Sequence, residues 1–273
     1  MTINYVTIRQ AREMSGLRIV LGEFAIPIPW REACKGIFYV KGLEYVPVRS
    51  ANEGAADMQI GMDGTQSELI AWTGQASVPV VAWNDERPRT LWNEQLCLAE
   101  RLAPDLPLVP TSMEDRIRMF GLAHALMSED GLLYNSRHFM SGPMIDSLPE
   151  DSPERELFVF FGRKYGYSDA ALAGATSRIV DILGTLDTQL RAQRKRGSPY
   201  LLGEQLSALD IYWATSCGFL DPMPEDRCPM LSAFRKPLLY GTPNLAIDRA
   251  LTSALRAHRD FVYEEHLELP IVF

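Results

Sequence analysis

Ser77-Val78-Pro79-Val80-Val81-Ala82-Trp83, followed by Thr90-Leu91-Trp92-Asn93-Glu94-Gln95, is the stretch that decides how this chain is read. An apolar strand opens on Val-Pro, a polar turn follows, a second short strand returns, and an acid–amide pair starts an amphipathic helix. Proline at the first position of a strand gives up no essential ladder donor, and an X-Pro bond adopts cis at little cost. A cis bond there turns the backbone N–H and C=O of Val78 outward, where an extended, peptide-like ligand can pair with them.

Working outward, residues 4–14 read as a short helix leading into the strand Leu17-Arg18-Ile19-Val20-Leu21. Pro29 stands at a helix start, a position proline favours, and the helix from Trp30 to Lys41 stops at Gly42. Residues 43–48 form the second strand, 50–66 a polar loop, and 67–72 a helical turn or two. The hairpin strands 78–83 and 89–92 and a helix over 94–102 close the unit. Strand, helix, strand, helix, strand, strand, helix predicts a small mixed sheet with helices on its faces. Ala103–Pro110 holds three prolines in eight residues and cannot continue a helix. Beyond it the period is helical, over roughly 112–128, 130–142, 152–166, 168–194, 207–218 and 244–265. The expected partition is an α/β domain over 1–103 with a short extension at 1–16, a Pro-rich linker over 104–110, and an all-α domain over 111–273.

The 273 residues suffice for two ordinary domains, each with its own core. A net charge of −8 argues against a nucleic-acid partner, which would demand a basic stripe. The apolar runs are too short to span a bilayer, and the charged N-terminus lacks the apolar centre of a secretory signal. Cys34, Cys97, Cys217 and Cys228 are scattered without a C-x-x-C or metal-finger spacing, so they read as reduced thiols of a cytoplasmic protein.

Ser207-Ala208-Leu209-Asp210 has the form of a capping box, with Leu206 and Ile211 placed as a hydrophobic staple. Alone it could open any helix. Its setting, Tyr200-Leu201-Leu202-Gly203-Glu204-Gln205-Leu206-Ser207-Ala208-Leu209-Asp210-Ile211, resembles the Gly-x-x-x-S/T-x-x-D segment in the helical domain of glutathione transferases. The Val78-Pro79 strand and the Pro-rich linker resemble the same superfamily, and together the likeness covers the chain from Leu17 onward. It implies a thioredoxin-like α/β domain followed by an all-α domain.

That resemblance implies glutathione as co-substrate. Val78, with Pro79, takes the place whose main chain pairs with the cysteinyl part of glutathione. Glu94 and Gln95 take the place of the acid and hydroxyl that hold the γ-glutamyl amine and carboxylate at a helix start, an amide here replacing the hydroxyl. Read without the family, Glu94 is an ordinary first-turn acid that suits the helix dipole. Gln75 and Trp72 fall near the glycyl end.

The position that in the family carries a Tyr, Ser or Cys falls on Ile28, which cannot donate. Cys34 lies two turns further along and reads as a buried apolar thiol, so a redox role is not expected. Thiol activation is then left to the helix start, through the N–H groups of Trp30 and Arg31 and the Arg31 guanidinium, since both lower a thiol pKa. Arg31 as a solvent-exposed charge is the plain alternative. His124, Tyr134 and His138 fall on the first two helices of the helical domain and are expected to line the acceptor pocket. His258-Arg259-Asp260 reads as a solvated helix face, and no histidine pattern holds a metal.

The implied function is conjugation of the glutathione thiolate to a small hydrophobic electrophile by a homodimer, with no metal, nucleic acid or membrane. A binding or scaffolding protein of the same fold, and a glutathione-dependent lyase or dehalogenase, remain open alternatives.

Overall fold

The computed structural model describes residues 3–22, 26–51, 66–237 and 240–272. Phe24 and Ala25 of the expected catalytic segment, and residues 52–65 of the expected loop, lie outside them. The chain divides into two compact units, one of residues 1–107, 224–231 and 266–273, the other of residues 108–223 and 232–265. Segments 224–231 and 266–273, assigned to the helical domain by a partition drawn along the chain, thus pack with the first unit.

In the first unit the elements are α1 (Ile8–Glu13), β1 (Leu17–Val20), α2 (Pro29–Val40), β2 (Val46–Val48), α3 (Ser67–Thr73), β3 (Val80–Trp83) and α4 (Trp92–Leu102). The sheet order is β2-β1-β3. β2 runs parallel to β1 with Val48 opposite Val20, and β3 runs antiparallel with Val80 opposite Val20. These three valines therefore share one face, and with Ile8, Ala11 and Leu69 of α1 and α3 they form a core against which Trp72 and Val78 pack. Helices α2 and α4 pack on each other. Leaving β-branched side chains in water on such a face would cost roughly 1.5–3 kcal/mol apiece.

Three local expectations change. The segment before Thr7 is extended rather than helical: Val6 bridges Val48, and the helix starts only after Thr7, whose N–H and Oγ1 form a capping box with Gln10. The return strand of the hairpin is reduced to one bridge, Val81–Arg89. The chain is drawn into α4 by Trp92, so no second ladder pair can form, and Glu94 becomes the third residue of that helix.

The second unit holds α5 (Met113–Met127), α6 (Leu132–Ser147), α7 (Pro153–Lys164), α8 (Asp169–Lys195), α9 (Ala208–Leu220), α10 (Leu245–Ala250) and α11 (Ser253–His266). Serine side chains cap α5, α7 and α8 from Ser112, Ser152 and Ser168. The single helix expected over 244–265 is two, because the chain breaks at Leu251 and Thr252 Oγ1 then accepts the Leu255 N–H.

α9 is the axis of this unit. Twelve of its residues are buried, so it is apolar nearly all round. The charged exception is Asp210, wholly buried, whose carboxylate accepts from the N–H of Ser207 (2.9 Å), the hydroxyl of Ser207 (2.7 Å) and the N–H of Leu201 (2.7 Å). His258 Nε2 lies 3.0 Å from Asp210 Oδ1. The expected solvated face at His258-Arg259-Asp260 is thus incorrect: His258 and Arg259 are buried, the first against Asp210 and the second donating to Asp221 Oδ2 at 2.9 Å. Charge alone misleads there because both partners come from distant sequence.

Candidate functional site

The Val78-Pro79 peptide bond is cis. Pro79 is buried and Val78 half-buried; among the described residues, neither the N–H nor the C=O of Val78 takes part in a hydrogen bond. Two residues on, the chain enters β3 and its backbone is committed to β1. Val78 thus presents one donor and one acceptor at the sheet end, the pattern that recognises an extended peptide.

This corner is fastened from α4. Gln95, 3% exposed, donates through Nε2 to the carbonyl of Pro79 at 3.0 Å and to that of Arg89 at 3.3 Å. Its amide nitrogen therefore ties the helix start to the proline strand and to the turn. The contact expected of Gln95 toward a ligand carboxylate is in this structure a backbone brace.

Glu94 behaves differently. It is half-buried, and its Oε1 accepts from Arg87 Nη2 at 2.6 Å, while Oε2 accepts no well-aligned hydrogen bond. Burial works to raise its carboxyl pKa, but the hydrogen bond and charge of Arg87, with the backbone N–H groups of Thr90 and Leu91, hold it below the usual range. It is a carboxylate at neutral pH whose principal partner, Arg87, is itself mostly exposed. Arg89, Asn93, Glu94, Cys97, Leu98 and Arg101 line a groove of about 320 Å³ along the same face of α4.

Gln75 is half-buried just before the proline strand, its N–H donating to Thr73 Oγ1 at 3.2 Å. Trp72 packs on the α1–α3 core with the Arg18 guanidinium 5.9 Å from its ring.

At the start of α2, Ile28 is the N-cap and supplies no capping oxygen; Pro29 follows. Trp30 is half-buried. Arg31 is not the solvent-exposed charge of the plain reading: it is wholly buried, with Nε 2.8 Å from Glu32 Oε1 and Nη1 3.3 Å from the Gly22 carbonyl. Glu32 also accepts from Lys35 Nζ at 3.0 Å, and Lys35 donates in turn to the carbonyl of Val272 in the C-terminal segment. Burial tends to raise the Glu32 pKa, yet Lys35 and Arg31 together hold it below the usual range. Cys34 is buried and its thiol is pushed far up, first by burial and then by Glu32, so it is no nucleophile.

The remaining expected residues are in the second unit. His124 is exposed near the end of α5. Tyr134 and His138 lie one turn apart on α6, Tyr134 with its ring 5.1 Å from that of Tyr165 and His138 6.3 Å from that of Tyr167. Burial lowers the His138 pKa. Between them Arg137 is buried, its guanidinium 4.8 Å from the Phe219 ring and 5.6 Å from that of Tyr165. Arg87, Lys164 and Tyr165 escaped the sequence reading, since nothing in their spacing links them to Glu94 or Tyr134. Among the described residues no group of three or more His, Cys, Asp or Glu is placed to hold a metal ion, and no helix is long and apolar enough to cross a membrane.

Comparison with known proteins places this architecture. Residues 169–260 match the family described as glutathione S-transferase, C-terminal domain. Among solved structures, a glutathione transferase homolog from Sulfitobacter with bound glutathione aligns over 91% of this chain and 99% of its own, at 19% identity and a TM-score of 0.51. A glutathione S-transferase from Methylobacterium radiotolerans, in complex with glutathione sulfonate, aligns over 92% of each chain at 16% identity and a TM-score of 0.53. A beta-etherase from Sphingobium aligns over 90% of this chain and 99% of its own, at 16% identity and a TM-score of 0.52. No curated protein sequence matches. A mixed three-stranded sheet with flanking helices and a following all-helical unit give this chain the fold of these glutathione transferase structures, and its residues 169–260 match the glutathione S-transferase C-terminal domain family.

Proposed function

We propose that the protein binds glutathione at the Val78-Pro79 corner and transfers its thiolate to a small electrophile. The observation that carries this reading is the unpaired main chain of Val78 beside a proline carbonyl braced by Gln95. A peptide-like cysteinyl group pairs with Val78, and the γ-glutamyl ammonium pairs with Glu94, whose carboxylate is ionised and has a weakly held, exposed partner to displace. Glutathione or its sulfonate bound in two structures of the same fold supports the ligand class. Gln75 is assigned to the glycyl end.

Thiol activation is assigned to the start of α2, through the N–H groups of Trp30 and Arg31 and the positive end of the helix dipole. The Arg31 guanidinium acts mainly by holding this turn, because Glu32 already neutralises it at 2.8 Å. The thiolate then forms a carbon–sulfur bond to the electrophile as the leaving group departs with its electron pair. Tyr134, His138 and His124 are assigned to the acceptor. The active species is a two-fold dimer, the commonest closed assembly; sedimentation giving a dilution-insensitive monomer of about 31 kDa overturns that part.

One observation favours a second reading. Ile28 at the N-cap has no donor, and the nearby cation is internally neutralised, as suits a protein that binds glutathione without turning it over. Following bound glutathione by thiolate absorbance separates the two: a thiol pKa well below that of free glutathione supports transfer, and an unshifted one supports binding alone.

A further inference from the structure

The helical unit carries a pair of cations in an aromatic setting that glutathione does not explain. Arg137 on α6 and Lys164 at the end of α7 both lie over the ring of Tyr165, the guanidinium carbon at 5.6 Å and the ammonium nitrogen at 5.8 Å from its centroid. The Tyr134 ring meets the Tyr165 ring edge-on at 5.1 Å and an interplanar angle of 80°. Arg137 is buried, whereas Lys164, Tyr134 and Tyr165 are half-buried and so reach solvent.

Lys164 makes no ion pair among the described residues. Burial, and then the like charge of Arg137, pull its pKa down to about 8. Among the described residues two acids act on members of the cluster or their neighbours, and neither serves Lys164. Glu129 acts on Tyr134, and Asp130 acts on His138 while pairing with Arg178 at 2.9 Å. A half-buried ammonium beside a guanidinium, with no carboxylate to answer it, is unfavourable unless an anion from outside completes the group.

We propose that Tyr134, Lys164 and Tyr165, backed by Arg137, form a binding site for a planar aromatic carboxylate. The ammonium takes the carboxylate in a charge-assisted hydrogen bond, Arg137 adds field from behind, and the solvent-reaching edges of the two packed tyrosine rings meet the ligand's ring from one side. The site accepts a monoanion carried by a flat ring in preference to a compact, strongly hydrated ion. Its link to catalysis, that the acceptor electrophile is itself an aromatic acid, rests on the glutathione reading; the binding site does not.

The test titrates benzoate, benzamide and inorganic phosphate into the full chain without glutathione, by calorimetry near neutral pH. Benzoate is expected to bind saturably and benzamide about tenfold more weakly, the loss of one charge-assisted contact. Lys164→Gln should weaken benzoate by about tenfold or more while Lys164→Arg stays within a few-fold. Tyr165→Leu should weaken benzoate but leave acetate, titrated alongside as the ring-less monoanion, unchanged. No saturable benzoate binding, phosphate binding as tightly as benzoate, or equal benzoate affinity in Lys164→Gln overturns the proposal. Because Lys164 has no ion pair among the described residues, Lys164→Gln should melt no lower than wild type, so a folding defect does not excuse the variant. Glutathione titrated into the same preparation fails or succeeds separately, which distinguishes loss of this site from loss of the Val78–Glu94 reading.

Discussion

The side-chain amide of Gln95 donates to the carbonyl of Pro79 across sixteen residues of sequence, at 3.0 Å and out of reach of water. It couples the start of α4, where Glu94 stands, to the strand opening, where Val78 presents its main chain. Gln95→Ala leaves a buried carbonyl without its donor and should cost about 1–3 kcal/mol of stability. It should also weaken glutathione binding at temperatures where the fold is intact, because Val78 loses its support. A urea titration paired with calorimetry checks both; lost stability with unchanged affinity would separate the brace from the site.

Arg87 competes with the proposed ammonium for Glu94. Removing it as Arg87→Ala should tighten glutathione several-fold and let the Glu94 pKa rise toward the ordinary carboxylate range. Binding by the variant that is weaker than wild type would mean that Arg87 contacts the ligand rather than the carboxylate.

Acid should loosen the first unit through Glu32. Its folded pKa is depressed by Lys35 and Arg31 against the opposing effect of burial, so its contribution is fully present above the ordinary carboxyl pKa and is lost as pH falls through the folded value. Glu32→Gln removes that acid limb and leaves Arg31 buried beside a neutral group, a loss of about 3–5 kcal/mol near neutral pH. Melting midpoints measured for both proteins from neutral pH down to about 3 should converge as the wild-type carboxylate protonates. Parallel curves would contradict the assignment.

In the helical unit, Ser207→Ala should cost about 0.5–2 kcal/mol through the capping interaction. Asp210→Ala should cost more, about 3 kcal/mol or above, because the N–H groups of both Ser207 and Leu201 lose a buried acceptor. Neither should change glutathione affinity measured well below the melting midpoint. A large loss of affinity with unchanged melting would give Ser207 a role beyond structure.

Much of the fold was legible because it is local. Pro29 and Gly42 bracket α2, the short apolar runs of β1 and β3 mark the sheet, and the Ser207–Asp210 spacing marks the start of α9. What stayed hidden depends on contacts between distant residues. Nothing near His258 announces Asp210, and nothing near Arg31 announces that the Gly22 carbonyl and Glu32 will enclose it. The return strand expected at 89–92 stops at one bridge because Trp92, a residue type that favours strands, has already entered the helix. In the site, the Val-Pro turn and the acid at the helix start could be found from sequence. That Gln95 faces inward could not, since an amide at a helix start suits a ligand and a backbone carbonyl equally well.

Whether Val78 and Glu94 together hold glutathione, as proposed, is decided by calorimetric titration of glutathione into wild type and Glu94→Ala. Wild type should bind saturably and Glu94→Ala should lose about 1.5–3 kcal/mol, roughly ten- to hundredfold in affinity, as one charge-assisted contact disappears. No binding by the wild type, or equal affinity in the two proteins, would contradict it.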